Sequence, residues 1–137
     1  MRQDDPRFRP AMEFIEQMEY AQALGPLNAL LPQLSGEDRL VALYWKARCL
    51  AGMDEWKQAR TVLDEALKQV DADSHLRIHL RLQDAFLLEV EDGPDRGVQE
   101  IQSILDHYAD ELKTPELLEA WLRAKTDLGS FLVKADR

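Results

Sequence analysis

The sequence predicts an all-α fold built from repeated pairs of helices. Apolar residues recur three and four positions apart, as at Leu43, Ala47 and Leu50, and this spacing is the period of a helix face. Nowhere do apolar and polar residues alternate over the four or more positions that indicate a strand. The third observation is an internal repeat, in which three segments carry the same series of small and apolar residues.

Each repeat contains two small residues, twelve positions apart, which are Ala11 and Ala23, Ala47 and Ala59, and Ala85 and Gly97. The first small residue is followed three places later by Phe14, Leu50 or Leu88. Three apolar or small residues follow the second one at fixed offsets: Leu27, Leu30 and Leu31; Leu63, Ala66 and Leu67; Ile101, Ile104 and Leu105. Because such units cannot bury their apolar faces alone, they are expected to stack into a helical solenoid.

The chain is expected to form one domain, residues 1–137, with three repeat units and a final helix. Its 137 residues, 45% of them hydrophobic, are enough for one core but hardly for two. The units are predicted at residues 7–35, 39–71 and 75–112, and the last helix at residues 115–134. With two helices in each unit, about seven helices are expected.

In the first unit, Pro10 fits the first turn of a helix, where a missing N–H loses no partner. Gly25 and Pro26 interrupt the second helix, so either a kink or a later start is expected there. Ser35 and Gly36 end the unit.

The second unit opens with the acidic Glu37 or Asp38 at the positive end of its first helix. It continues through residues 39–51, a turn at residues 52–54 and a second helix at residues 55–70.

In the third unit, Asp73 or Ser74 is expected to cap a helix that starts at His75. That helix runs to about Val90, and a turn at residues 91–95 leads into a second helix that ends near Leu112.

The start of the final helix is predicted by Thr114, as its cap, and by Pro115, in its first turn. One apolar stripe on it comprises Leu117, Trp121, Ala124, Leu128 and Phe131, and beside that stripe lie Leu118, Leu122 and Leu132. A solenoid needs an end that covers its last unit, and this helix suits that role.

The pattern of each unit resembles the tetratricopeptide repeat (TPR). The second unit matches best, with residues Ala47, Leu50, Trp56, Ala59, Leu63, Ala66 and Leu67. The first unit matches at Tyr20, Ala23, Leu27 and Leu31, whereas the third has Pro94 in place of the aromatic residue and Gly97 in place of the packing alanine. The resemblance covers about residues 8–112.

The resemblance implies a right-handed α-α superhelix whose first helices line a concave groove for a peptide or helix of a partner. Register places these residues in the groove: Phe8, Met12, Val41, Tyr44, Trp45, Arg48, His79, Leu82, Gln83 and Phe86. Tyr44, Trp45 and Arg48 are the types that dominate binding hot spots. Core packing is the alternative for Trp45, and core positions are expected for Trp56 and Trp121. The Lys and Asn clamp of chaperone-tail-binding relatives is not supported.

Charge favours an acidic peptide or helix as the partner. Basic residues gather on the first helices of the second and third units, at Arg39, Lys46, Arg48, Arg77 and Arg81, whereas acids collect on the second helices and turns. Pairing with neighbouring carboxylates is the alternative interpretation of these cations. A net charge of −9 argues against nucleic acid as a partner.

Nothing in the sequence predicts a membrane or an oxidising compartment. No stretch approaches the roughly 18 consecutive apolar residues of a membrane span. Residues 1–10 carry charges rather than the apolar run of a signal peptide. A single cysteine, Cys49, excludes an internal disulfide and fits a reducing compartment, so the cytoplasm is the expected location.

No catalytic motif is found, and the chain is expected not to be an enzyme and to use no cofactor or metal. His75 and His79 have the four-residue spacing that lets two imidazoles share a metal, but no third ligand is evident. Cys49 beside Lys46 and Arg48 is either a thiol of lowered pKa or a buried small residue.

The leading hypothesis is a protein–protein interaction module, either an adaptor or chaperone-like, that holds a partner segment in the groove. The alternatives are one interaction domain of a larger protein and a structural domain that self-associates. For the latter, an apolar edge of the last helix, at Phe131 and Leu132, would pair with a second copy in a homodimer.

Overall fold

The computed structural model describes residues 5–136, and these residues form seven α-helices with no strand. The helices are α1 (Arg9–Glu16), α2 (Tyr20–Leu30), α3 (Gly36–Gly52), α4 (Trp56–Gln69), α5 (His75–Asp92), α6 (Pro94–His107) and α7 (Leu118–Ala135). The predicted all-α class and helix number are confirmed. The prediction that residues 1–10 are not a signal peptide falls partly on residues 1–4, which lie outside the described residues.

The chain divides into two compact units between Asp71 and Ala72. In the N-terminal unit, α1 packs on α2, α2 on α3 and α3 on α4. Each helix therefore contacts its neighbour along the chain, as expected for stacked helical hairpins.

The two hairpins of the N-terminal unit have the same turn. Met18 has φ 61° between α1 and α2, and Asp54 has φ 62° between α3 and α4. The following residues, Glu19 (φ −93°, ψ 67°) and Glu55 (φ −89°, ψ 65°), are also alike. Because positive φ is uncommon outside glycine, this agreement supports the internal repeat independently of the sequence pattern.

The repeated small residues lie where the paired helices touch. Ala11, Ala23, Ala47, Ala59 and Ala85 are all 0% exposed. Side chains this short let two helices approach to about 8–10 Å. The repeat pattern therefore identifies the inner faces of these helices.

The C-terminal unit packs α6 on α5 and α7 on both of them. Ser74 caps α5 as expected, since its Oγ accepts a hydrogen bond from the Leu76 N–H at 3.2 Å. The core of this unit comprises Ile78, Leu82, Ala85, Ile101, Ile104, Tyr108, Leu112, Leu117, Ala120, Ala124 and Phe131.

Gly97 lets α6 approach both of its partners closely. A Cβ at this position would lie 2.7 Å from Cδ2 of Phe131 on α7 and 2.8 Å from Cβ of Glu89 on α5. The glycine that departs from the repeat pattern is thus explained by close contacts with both α5 and α7.

Three local predictions need correction, and the first concerns α6, which ends at His107 rather than near Leu112. Helix α2 is continuous through Pro26 and starts at Tyr20, so the later start was wrong. The hydroxyl of Thr114 donates backward to the carbonyl of Glu111 at 2.7 Å and caps no helix. A 3-10 turn at Pro115–Leu117 comes first, and α7 begins at Leu118, three residues later than expected.

Candidate interaction surface

The structure buries most of the residues that register places in a groove. Phe8, Met12, Val41, Tyr44, Trp45, Leu82 and Gln83 are all at most 9% exposed. His79 and Phe86 are half-buried, and Arg48 alone of the ten is exposed. Leu82 belongs to the core of the C-terminal unit, and Phe86 packs against that core. Partner contact by these residues stays a prediction, but Arg48 presents the most surface for it.

Arg48 is held in place by two aromatic rings. Its guanidinium carbon lies 5.3 Å from the Trp45 ring centroid and 5.9 Å from that of Tyr44. Nη1 also lies 3.4 Å from the Tyr44 hydroxyl. Stacking on aromatic faces lowers the entropy that a guanidinium loses on binding a carboxylate.

Two other cations of the predicted basic face are paired. Arg39 on α3 contacts Glu65 on α4 at 3.0 Å, and Arg81 on α5 contacts Glu100 on α6 at 3.2 Å. Both pairs bridge the two helices of a hairpin. For these two arginines, the structure favours the alternative interpretation of pairing with neighbouring carboxylates.

Neither candidate for reactive chemistry forms a site within residues 5–136. His75 is exposed and His79 half-buried, and no three His, Cys, Asp or Glu side chains of this region are grouped to hold a metal ion. Cys49 is fully buried, and desolvation raises its pKa to about 11, against the opposing charge of Arg48. A thiol that is protonated and inaccessible is a core residue rather than a redox sensor.

Within residues 5–136, most of the exposed large apolar side chains lie on α7. Five of its large apolar side chains keep between 37% and 55% of their area exposed: Leu118, Trp121, Leu122, Leu132 and Val133. With exposed Lys125 and Gly129, they fall on one face at helical spacing, and we call this face the α7 stripe. The expected core position of Trp121 is wrong.

The opposite face of α7 is fixed firmly to the C-terminal unit. Ala120, Ala124 and Phe131 are at most 1% exposed. Arg123 donates to the buried Gln83 on α5 at 2.9 Å, and Lys134 donates to the buried Glu89 at 3.1 Å. Helix α7 therefore has apolar residues on both sides, and only one side is used in folding.

Sequence reasoning identified two adjacent apolar stripes on the last helix, and of the first stripe Leu117, Ala124 and Phe131 are buried whereas Trp121 is exposed. Phe131, named for the self-association edge, is buried, whereas its neighbour Leu132 is 44% exposed. The signal lay in the doubled stripe itself, because it is wider than the single apolar face that a surface helix usually turns to its core.

Comparison with known proteins places the chain in no family. No protein-family model matches the sequence, and neither curated proteins nor solved structures give a significant match. Within residues 5–136, none of the helices combines the length and hydropathy that crossing a membrane requires. The tetratricopeptide resemblance is thus a prediction that depends on this chain's own residues.

Proposed function

We propose that this chain is a protein–protein interaction module of tetratricopeptide-like helical hairpins, and that its α7 stripe binds an apolar face of a partner helix. The observation that carries the proposal is the exposure of five large apolar side chains on a helix whose other face is already buried. Contiguous exposed apolar surface on a folded protein marks an interaction site.

The hairpins support the repeat part of this proposal. Two successive turns share their torsion angles, and the small residues of the pattern are fully buried. The right-handed superhelix implied by the resemblance stays a prediction.

The α7 stripe argues against a simple capping role for the last helix. The cap of a solenoid turns a polar face to water, since its task is to end the apolar stack. Helix α7 instead presents Trp121 and Leu122 where a cap would have charged or amide side chains. A surface of this kind continues the stack and so fits a protein partner.

Photo-crosslinking tests the proposal with a matched control. A benzophenone amino acid replaces Leu122 on the α7 stripe or Gln102 on the exposed polar face of α6. Adducts are expected from position 122 alone, and mass spectrometry should map them to an apolar helical segment. Equal adducts from both positions, or none from position 122, would contradict the proposal.

A second candidate function follows from Arg48. Its exposed guanidinium lies over Tyr44 and Trp45, which suits a carboxylate of an acidic partner segment. Binding of a synthetic Glu-rich peptide would be measured by fluorescence anisotropy. Arg48→Gln should abolish this binding, while Arg9→Gln, at another exposed arginine, should keep it. Equal loss in both variants would indicate general charge attraction only.

A further inference from the structure

We propose that the partner helix on the α7 stripe is α7 of a second copy, packed antiparallel about a twofold axis beside position 127. This inference rests on the proposed function and specifies its partner. The spacing of the stripe, the sizes of its side chains, its charge and its area support this pairing.

The α7 stripe is symmetric in spacing about position 127. Trp121 and Val133 lie six residues on either side of that position, Leu122 and Leu132 five, and Lys125 and Gly129 two. A twofold axis at this position places each residue of a pair opposite the other residue of that pair in the second copy. Leu118 extends the stripe beyond these pairs. An interface between identical patches must be self-complementary in this way.

The paired side chains also complement each other in size. The large Trp121 would face the smaller Val133, Leu122 would face Leu132, and Lys125 would face a glycine. A Cβ on Gly129 would meet nothing within 4 Å, so the glycine leaves a notch in the stripe. Alternation of large and small residues across facing helices allows them to interdigitate and to approach to about 8–10 Å.

Charge within the stripe allows this pairing, whereas charge outside it opposes tight association. Lys125 is the stripe's single ionisable residue, and its Nζ lies 5.8 Å from the Trp121 ring centroid. Its aliphatic stem can cross the notch at Gly129 while the ammonium group remains hydrated. Two copies of net charge −9 repel each other, and added salt screens that repulsion.

The area of the stripe predicts a weak, reversible dimer. The five large side chains expose on the order of 400–500 Å² of apolar surface per copy, given the usual areas of such side chains. A standard stable interface buries about 800 Å² per partner. A dimer that dissociates on dilution is therefore expected.

Sedimentation velocity over a concentration series tests the dimer. The wild-type chain of 15.8 kDa should shift toward twice that mass, and the shift should grow with ionic strength. Leu122→Lys with Leu132→Lys should weaken dimerisation by about 100-fold or more, because four charges would enter the apolar interface. The control, Gln102→Lys with Ser103→Lys on the polar face of α6, should dimerise like the wild type. Circular dichroism checks that both variants fold.

Engineered cysteines test the register. In the antiparallel pairing, Leu122→Cys of one copy faces Leu132→Cys of the other, within the reach of a disulfide. A mixture of the two variants should oxidise to a mixed dimer faster than either variant alone, and Cys49, which is buried, should take no part. Faster disulfide formation by Leu122→Cys alone would overturn the antiparallel register.

The outcomes separate this inference from the proposed function. A wild-type chain that stays monomeric at all concentrations and salts overturns the dimer. If crosslinks from position 122 then map to a different protein, the proposed function stands without it. Equal weakening by the α6 control pair would also overturn the dimer, since it would move the contact away from α7.

Discussion

Helices α6 and α7 lie side by side in the C-terminal unit, and each buries one face in the same core. Helix α6 contributes Ile101 and Ile104 to that core, and α7 contributes Ala124 and Phe131. Their outer faces differ in kind. That of α6 is polar, with Gln99, Gln102, Ser103, Asp106 and His107 along a shallow surface depression, whereas that of α7 is the apolar α7 stripe.

Folding accounts for the polar outer face of α6 but not for the apolar outer face of α7. The polar outer face of α6 is what any amphipathic surface helix shows. None of the α7 stripe residues belongs to the buried core of the C-terminal unit, and each of its apolar side chains costs solubility while exposed. A second protein surface gives these residues a role that folding does not.

The largest expected effect contrasts two adjacent residues of α7. Phe131→Ala removes a buried ring and should lower the free energy of unfolding by about 3–5 kcal/mol. Leu132→Ala, on the exposed face, should change it by no more than about 0.5 kcal/mol. Urea denaturation of dilute, monomeric protein measures both values. Similar losses in the two variants would show that the α7 stripe is part of the core.

Two glycines, one buried on α6 and one exposed on α7, test the same difference between a packed and an open position. Gly97→Ala places a methyl group against Phe131 and Glu89 and should destabilise the chain by about 1–3 kcal/mol. Gly129→Ala meets no neighbour and should stabilise the monomer by about 0.5–1 kcal/mol, because alanine favours the helix.

Thermal unfolding followed by circular dichroism measures whether each glycine variant is more or less stable than the wild type. Destabilisation by Gly129→Ala in dilute monomer would contradict the exposure of that face.

Two arginines, Arg123 on α7 and Arg96 on α6, provide a third comparison between the two helices. Arg123→Met leaves the carbonyl oxygen of the buried Gln83 without the donor at 2.9 Å, and a loss of about 1–2 kcal/mol is expected. Arg96→Met removes an exposed ion pair with Glu100, so its effect should be near zero, at most about 0.5 kcal/mol. Chemical denaturation in the same buffer compares them. An equal loss would indicate that Arg123 acts mainly through surface charge.

The reactivity of thiols compares a buried position with an exposed one and does not depend on a change in stability. Cys49 is buried and its pKa is raised to about 11, so at pH 8 it remains protonated and should react slowly with iodoacetamide. In dilute, monomeric protein, a second thiol from Leu132→Cys should react at a rate close to that of a free cysteine. Mass spectrometry of the two peptides measures the rates. Rapid labelling of Cys49 in the folded chain would contradict its burial.

Much of the fold could be predicted because helix periodicity and small residues encode it locally. The spacing of Ala11 and Ala23 identified the inner faces of a hairpin, and Ser74 marked the start of α5. Positions that depend on tertiary context were missed. The contact between Gly97 and Phe131 is not visible from the sequence, and Thr114 forms a local hydrogen bond that competes with the cap.

The candidate surface was harder to predict for a physical reason. Register states which side of a helix a residue occupies, but not whether another element covers that side. Tyr44 and Trp45 lie on the predicted face and are nonetheless buried. Trp121 has the residue type and spacing of a core position, yet it is exposed while Leu117, Ala124 and Phe131 of the same predicted stripe are buried. Only the packing of α7 on α5 and α6 decides between its two apolar stripes.

The measurement that tests the central claim most directly is carbene footprinting of the purified chain from dilute to concentrated solution. If a second copy covers the α7 stripe, labelling of Trp121, Leu122 and Leu132 should fall several-fold with concentration, while labelling of Gln102 and His107 on α6 stays constant. Unchanged labelling of the α7 stripe, or an equal fall on both helices, would contradict the account.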